Sequence, residues 1–473
     1  VATNDEIARA AIKADMEHRG YRETGPGEFH RSVAAGAMGH VKIEHWVWAA
    51  DGRVHTRIEE SPPYRATDFA AEEAALANAL QLSVFGYWPS AIDGLFADWE
   101  PGVLPCPMPF EIAASLARAA VSEISAGVVE EDPAAGYAPG NPRLASDLSN
   151  LEERTKQLSG RYAATFADTY VTPLPAVIER QRSMVGVLAV AAAAEGEVWA
   201  RAADDVAEVR RLGLAAMQGS GTASEGDIDW SVVLTVVGAV AAGVTAFATV
   251  GSTAAVAAAL LSAGAGGAGD LIASPSDDSA PELPLGAGDP HAVLANLRAA
   301  LSGSGNSLSA SIRSQERSIR QMLAAVSGAA RGARRGMFDL PEPEVADVGA
   351  GDLLDRTQSV IVTPEIIARI TALWIPTISA DLRTARRLLV WESAGAWQRP
   401  AGIGLGVAGP MAAYQELQET ALRLLGNTAG ELDDAGVALG DAARMIGLVD
   451  AQVERSYARQ ARRIIDLNLN HVA

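Results

Sequence analysis

From Ala421 to Val453 the chain repeats one spacing: Ala421, Leu425, Thr428, Leu432, Ala435, Leu439, Ala442, Ile446, Val449 and Val453 follow one another in alternating steps of four and three. That spacing lines them along one seam of a helix. One register is small (Ala, Thr, Ala, Ala, Val) and the other large (Leu, Leu, Leu, Ile, Val), so a partner helix can approach closely on the small side. Ile375, Ile378, Leu382, Ala385 and Leu389 repeat the same steps upstream. Thr363-Pro364-Glu365 supplies an expected N-cap, a proline at the first helical position and an early acid, and Pro376 is expected to kink the helix. Gln398 to Pro410 is rich in glycine. Residues 363 to about 466 are therefore expected to form one long antiparallel hairpin with Trp397 at its turn, within a C-terminal unit 363–473.

The same grammar recurs in the region 111–335. Asn141-Pro142 opens a helix carrying Leu144, Leu148, Leu151, Leu158 and Tyr162, and Thr172-Pro173 opens the next. Asp289-Pro290 opens a third, with Leu294, Leu297, Leu301, Leu308, Ile312, Ile319 and Met322 at heptad positions and Gly303 and Gly305 weakening it locally. Stretches 274–289 and 336–362, rich in Pro, Gly, Ser and Asp, read as linkers.

Trp230 to Gly269 runs forty residues without a charge and divides at Gly251-Ser252. Val240 lies midway along its first half, and Gly243 beside it leaves room for a close neighbour. An apolar hairpin is expected, as buried core, as a contact between copies, or as a segment that reaches lipid.

Residues 1–110 read as a small α/β unit, making the fold class mainly α with long antiparallel helical hairpins. A short helix is expected around Asp5 to Glu17, then a β-hairpin turning at Asp51-Gly52. With those two residues as the loop, Trp48 faces His55 and Trp46 faces Arg57 on one side, while Val47, Ala49, Val54 and Ile58 line the other. Beyond Trp88-Pro89 the proline-rich chain to Pro109 is expected to wrap irregularly.

Acidic residues number 58 against 38 basic, a net charge of −20, which argues against a nucleic-acid partner. A single Cys106 excludes an intramolecular disulfide, a CxxC pair and a thiolate zinc cluster. The start of the sequence lacks the pattern of a secretory signal, so export is expected to take a non-Sec route. Five of the seven histidines (His18, His30, His40, His45, His55) fall in the first 55 residues, but without HxH or HExxH spacing, and they read as ordinary surface histidines. Gly404, Gly406 and Gly409 spell GxGxxG, as do Gly264, Gly266 and Gly269; neither follows a strand of a βαβ unit, so an interhelical turn and glycine packing explain them better. Tyr64 to Asp68 fits YxxxD, a short pattern expected by chance. Arg331, Arg334 and Arg335 read as a helix C-terminal charge cap. No catalytic constellation, cofactor motif or metal site is expected.

The C-terminal hairpin resembles the WXG-type substrates of actinobacterial type VII (ESX) secretion, helical hairpins of roughly a hundred residues with a Trp-containing turn. The resemblance covers Thr363 to Asp466 and rests on Trp397, the glycine-rich connection, the long second helix and Tyr457 near its end. Gln398 and Arg399 follow Trp397, so the family's Trp-x-Gly is absent; Ala461 stands four residues after Tyr457, so its YxxxD/E signal is absent too. The resemblance implies a non-catalytic secreted or envelope protein, cytoplasmic before export, that pairs through helices with a small WXG-type partner or with itself. Two other readings stay open: a membrane-inserting or pore-forming protein using residues 230–269, and a cytosolic helical scaffold.

Overall fold

Thr3 starts the first helix, α1 (Asn4–His18), through a capping box in which its hydroxyl accepts from the Glu6 N–H and the Glu6 carboxylate accepts from the Thr3 N–H. The computed structural model describes residues 2–35, 41–48, 53–60, 70–126, 140–158, 161–219, 231–233, 282–332, 337–341, 363–391 and 394–469. The protein is mainly α with a small antiparallel sheet near its N-terminus.

That sheet is a four-stranded meander, β1 (Arg22–Gly25), β2 (Glu28–Ala35), β3 (Val41–Trp48) and β4 (Arg53–Glu60), in the order β1-β2-β3-β4. Of these strands the sequence predicts only the β3–β4 hairpin, and the structure corrects its register. Trp48 pairs with Arg53 and Trp46 with His55, so the connection has four residues rather than Asp51-Gly52 alone. A slip of two keeps every side chain on its face, so alternation cannot distinguish the registers. Cross-strand matching can: the observed register sets Val47 against Val54 and Ile43 against Ile58, whereas the expected one set Val47 against Thr56 and Ile43 against Glu60.

The stretch beyond Trp88-Pro89 is corrected as far as Trp99, while 100–106 is irregular as expected. After α2 (Ala70–Leu80) and a π turn, residues Tyr87–Phe96 form α3, burying Trp88, Ile92 and Phe96 on one face. Pro89 falls in the first helical turn, where a missing N–H costs nothing.

Helix α4 (Pro107–Glu123) lays Phe110, Ala113, Ala117 and Ala120 on the central helix α7 (Leu174–Gly219), with Phe110 against Gly196. Between them come α5 (Pro142–Thr155) and α6 (Arg161–Phe166). Among the described residues one helix, Ala163–Gly219, is long and apolar enough to cross a membrane; 83% of its apolar window is buried inside the protein, the mark of a core helix. The third expected helix is two, α8 (Pro290–Ser302) and α9 (Leu308–Gly332): at Gly303 a Cβ would crowd the Ala299 carbonyl, and the chain turns out. Asn141 and Asp289 cap α5 and α8 through their side chains. Thr363 occupies the N-cap of α10 (Pro364–Arg369), but its hydroxyl makes no capping bond, contrary to expectation. A π turn, Ile370–Trp374, joins α10 to α11 (Ile375–Leu388) immediately before Pro376. The last helix, α12, runs from Met411 to Leu469.

Both expected linkers are partly structured. Glu282–Pro284 (β6) pairs antiparallel with Ser231–Val233 (β5), and Leu285 is buried. In the second, the Phe338 carbonyl accepts from Gln181 and Leu340 is buried. Val240, Gly243, Gly251 and the Gly264-Gly266-Gly269 motif lie outside the described residues, as do 342–362 and Tyr64 to Asp68. One apolar core runs from Ile7 to Leu439 through α7.

Candidate functional site

Ala421, Leu425, Leu432 and Leu439 are buried, as are Ile375, Ile378, Leu382, Ala385 and Leu389 on the facing α10–α11 arm. Ile446 and Val453 fall on α12 beyond the residues whose side chains are described. Small residues set the close approach: a Cβ on Gly436 would stand 3.2 Å from Ile375, and one on Gly440 3.9 Å from Thr371. The Ser379 hydroxyl donates to the Ala429 carbonyl (3.2 Å), and Gln418 Nε2 to that of Leu389 (2.6 Å). Arg383 pairs with Asp433 on the rim. On its other side α12 meets α7, where buried Gln181 donates to Thr428 Oγ1 at 2.7 Å.

The contacts Ile375–Gly436 and Thr371–Gly440 fix an antiparallel register. Extended to Pro364, the start of the first arm, it reaches about residue 447. Helix α12 continues to Leu469, about 22 residues or ~33 Å further at 1.5 Å per residue.

At the other end of the hairpin a 3₁₀ turn, Ala394–Trp397, buries the Trp397 ring edge-on against Phe110 (4.8 Å) and beside Tyr414 (5.5 Å). Two residues on, Arg399 turns into the protein. Its Nη1 donates to Glu195 Oε1 of α7 at 3.2 Å, Nη2 pairs with Glu316 Oε1 of α9, and its guanidinium lies 4.9 Å from the Trp199 ring. All three charged side chains are 0% exposed. Trp199 Nε1 donates to Glu195 Oε1 (2.9 Å), the Leu405 N–H to Glu316 Oε2 (2.6 Å), and Arg399 Nε to the Gly406 carbonyl (3.0 Å).

Gly404, Gly406 and Gly409 have φ of +60°, +98° and +49°. A Cβ on Gly404 would overlap the Glu316 carboxylate, and one on Gly409 the Arg399 guanidinium. These glycines therefore wrap a buried charge cluster belonging to the protein itself.

Burial away from water raises the pKa of both carboxyls. For Glu195 the Arg399 charge and hydrogen bonds from Trp199, Arg399 and Glu316 oppose that rise. Glu316 is pushed up to about 8, with the Glu195 charge adding to burial and Arg399 and the Leu405 N–H opposing. Glu195 Oε2 is buried without a hydrogen-bond partner among the described residues. A proton on Glu316 gives it a donor, and one carboxylic acid, one carboxylate and one guanidinium sum to zero charge.

Among the described residues no three His, Cys, Asp or Glu side chains converge as a metal site. His30 packs on Trp46 (ring centroids 4.4 Å), and His45 Nδ1 lies 3.2 Å from Thr56 Oγ1. Arg331 reaches Glu416 of α12 at 2.6 Å as well as the Ser327 carbonyl, so it ties two helices together beyond capping one. Arg334, Arg335 and His40 lie outside the described residues.

Fold and site together define a mainly helical protein whose C-terminal hairpin is locked by a buried Glu–Arg–Glu cluster. The chain matches no family model, no curated protein and no solved structure.

Proposed function

We propose that this is a non-catalytic assembly protein that recruits a second helix along the projecting end of α12, either from a small WXG-type hairpin or from another copy of itself. One observation carries the reading: α12 outruns its antiparallel partner by about 22 residues, and Val449 and Val453 carry the heptad into that projecting end. An apolar seam that continues past its partner helix is removed from water when a second helix packs along it. The Trp397 turn and glycine-rich connection support placing the protein with type VII (ESX) substrates, acting in the envelope or outside the cell after non-Sec export. Culture-filtrate fractions from cells with and without an active type VII system test the export: the chain is expected only in the former. Equal amounts in both would overturn it.

A second reading, membrane insertion, is favoured by the β5–β6 ribbon. Val233 pairs with Glu282, so the apolar stretch between them leaves and returns at one point. Partitioning with liposomes that depends on residues 234–269 would favour this reading. A chain that neither associates, is exported nor binds lipid would be a cytosolic scaffold.

A further inference from the structure

We propose that the turn of the C-terminal hairpin is a proton-controlled clasp: Glu195, Arg399 and Glu316 close as a neutral triad, and loss of the proton held between the two carboxyls opens the loop 398–410. This holds whether or not α12 recruits a partner.

Three separate elements meet in the triad, Glu195 from α7, Glu316 from α9 and Arg399 from the loop, and none of the three side chains touches water. With the proton in place the site is neutral. Without it, two carboxylates share one guanidinium, and a net negative charge remains in a dry site that leaves Glu195 Oε2 without a donor. The charges acting on the two carboxyls are each other's and that of Arg399. From the remaining surroundings, Arg313 of α9 is engaged at the rim with the Gly404 carbonyl (2.9 Å), α4 presents Phe110, and α12 presents Tyr414, whose hydroxyl burial keeps neutral.

Relief lies in the loop, because it contributes the guanidinium and the Leu405 N–H. Swinging residues 398–410 outward lets water reach both carboxylates while α7 and α9 stay packed. Outside the triad the loop is attached by the buried Ile403 side chain, by Arg313 at the Gly404 carbonyl, and by the Ser309 hydroxyl donating to the Gly402 carbonyl (2.8 Å). Its three glycines at positive φ carry no side chains, so Ile403, 2% exposed, is the apolar anchor that leaves the core when the loop opens.

In the closed state the proton is held to about 8, and in the open, solvated state only to the ordinary 4.5. The opening constant therefore rises about tenfold per pH unit between those values and levels off above them.

Amide hydrogen exchange of the full chain reads this directly at Arg399, Leu405 and Gly406. Exchange chemistry is itself first order in hydroxide, so the loop amides are expected to exchange with second-order dependence up to about pH 8 and first-order above it. They should also exchange faster than core amides of α12 such as Leu425. Glu316→Gln keeps a neutral donor and acceptor at the site and should return the loop to first order throughout. Loop amides that exchange only as fast as Leu425, or with first-order dependence in the wild type, would overturn the clasp, as would second-order behaviour that survives in Glu316→Gln. If that variant does not fold, the wild-type comparison of the loop with Leu425 decides alone.

Discussion

Gly409 lies against the guanidinium of Arg399 so closely that any side chain there would overlap it. Its φ of +49° adds a backbone reason for glycine. Gly409→Ala is expected to destabilise the fold by about 2–4 kcal/mol in urea unfolding, since it combines overpacking with a left-handed backbone. Gly406→Ala meets no atom within 4 Å and should cost only the backbone term, about 1 kcal/mol. Equal losses at the two positions would mean that the guanidinium does not set the requirement at Gly409.

Arg399→Met leaves two carboxyls in a dry site without their cation. A loss of about 3–5 kcal/mol is expected at neutral pH, because breaking a buried pair strands the remaining charge. Acidification should recover part of it by protonating both carboxyls, and equilibrium unfolding at two pH values checks this. A loss independent of pH would show that packing, not charge, is at stake.

The wild-type pH profile has a definite sign. The folded chain binds the Glu316 proton more tightly than the unfolded one. The stability it contributes is complete below about 4.5, declines as pH rises, and is gone above about 8. The urea midpoint of the wild type minus that of Glu316→Gln should follow that decline across the window. A difference that grows with pH would contradict it.

Much of this architecture is legible in the sequence, for reasons that differ by element. The α12 seam shows because a period sustained over ten positions survives any single exception such as Thr428. The starts of α5 and α8 show because Asn141-Pro142 and Asp289-Pro290 combine a side-chain cap with a proline that needs no donor. The β3–β4 register was hidden because a two-residue slip preserves both faces, and α3 because Pro89 reads as a breaker where it serves as a first-turn residue. The charge cluster left two traces. Glu195 ends an alanine-rich apolar run on a helix otherwise buried there, and Gly404, Gly406 and Gly409 form a motif that reads as an interhelical turn without showing the charges it wraps. Neither trace names the other, since α7, α9 and the loop are joined only by the fold.

Leu432 is fully buried between α12 and the facing arm, while Val437, on the same helix, is 62% exposed. Leu432→Asp is expected to cost at least about 3 kcal/mol by burying an unpaired charge, and Val437→Asp to stay within about 0.5 kcal/mol. Thermal unfolding of the two variants side by side checks this. An unchanged midpoint for Leu432→Asp would dissolve the hairpin pairing.

Sedimentation equilibrium on the wild-type chain and on Val449→Asp/Val453→Asp tests the recruitment of a second helix most directly, with the chain alone and co-expressed with the small helical-hairpin proteins of its own genome. The expected result is a wild-type particle heavier than one chain in at least one of those settings, and a double variant that is a lone chain in both with its thermal midpoint unchanged. A wild-type chain that stays monomeric in both, or a double variant that associates as the wild type does, would contradict it.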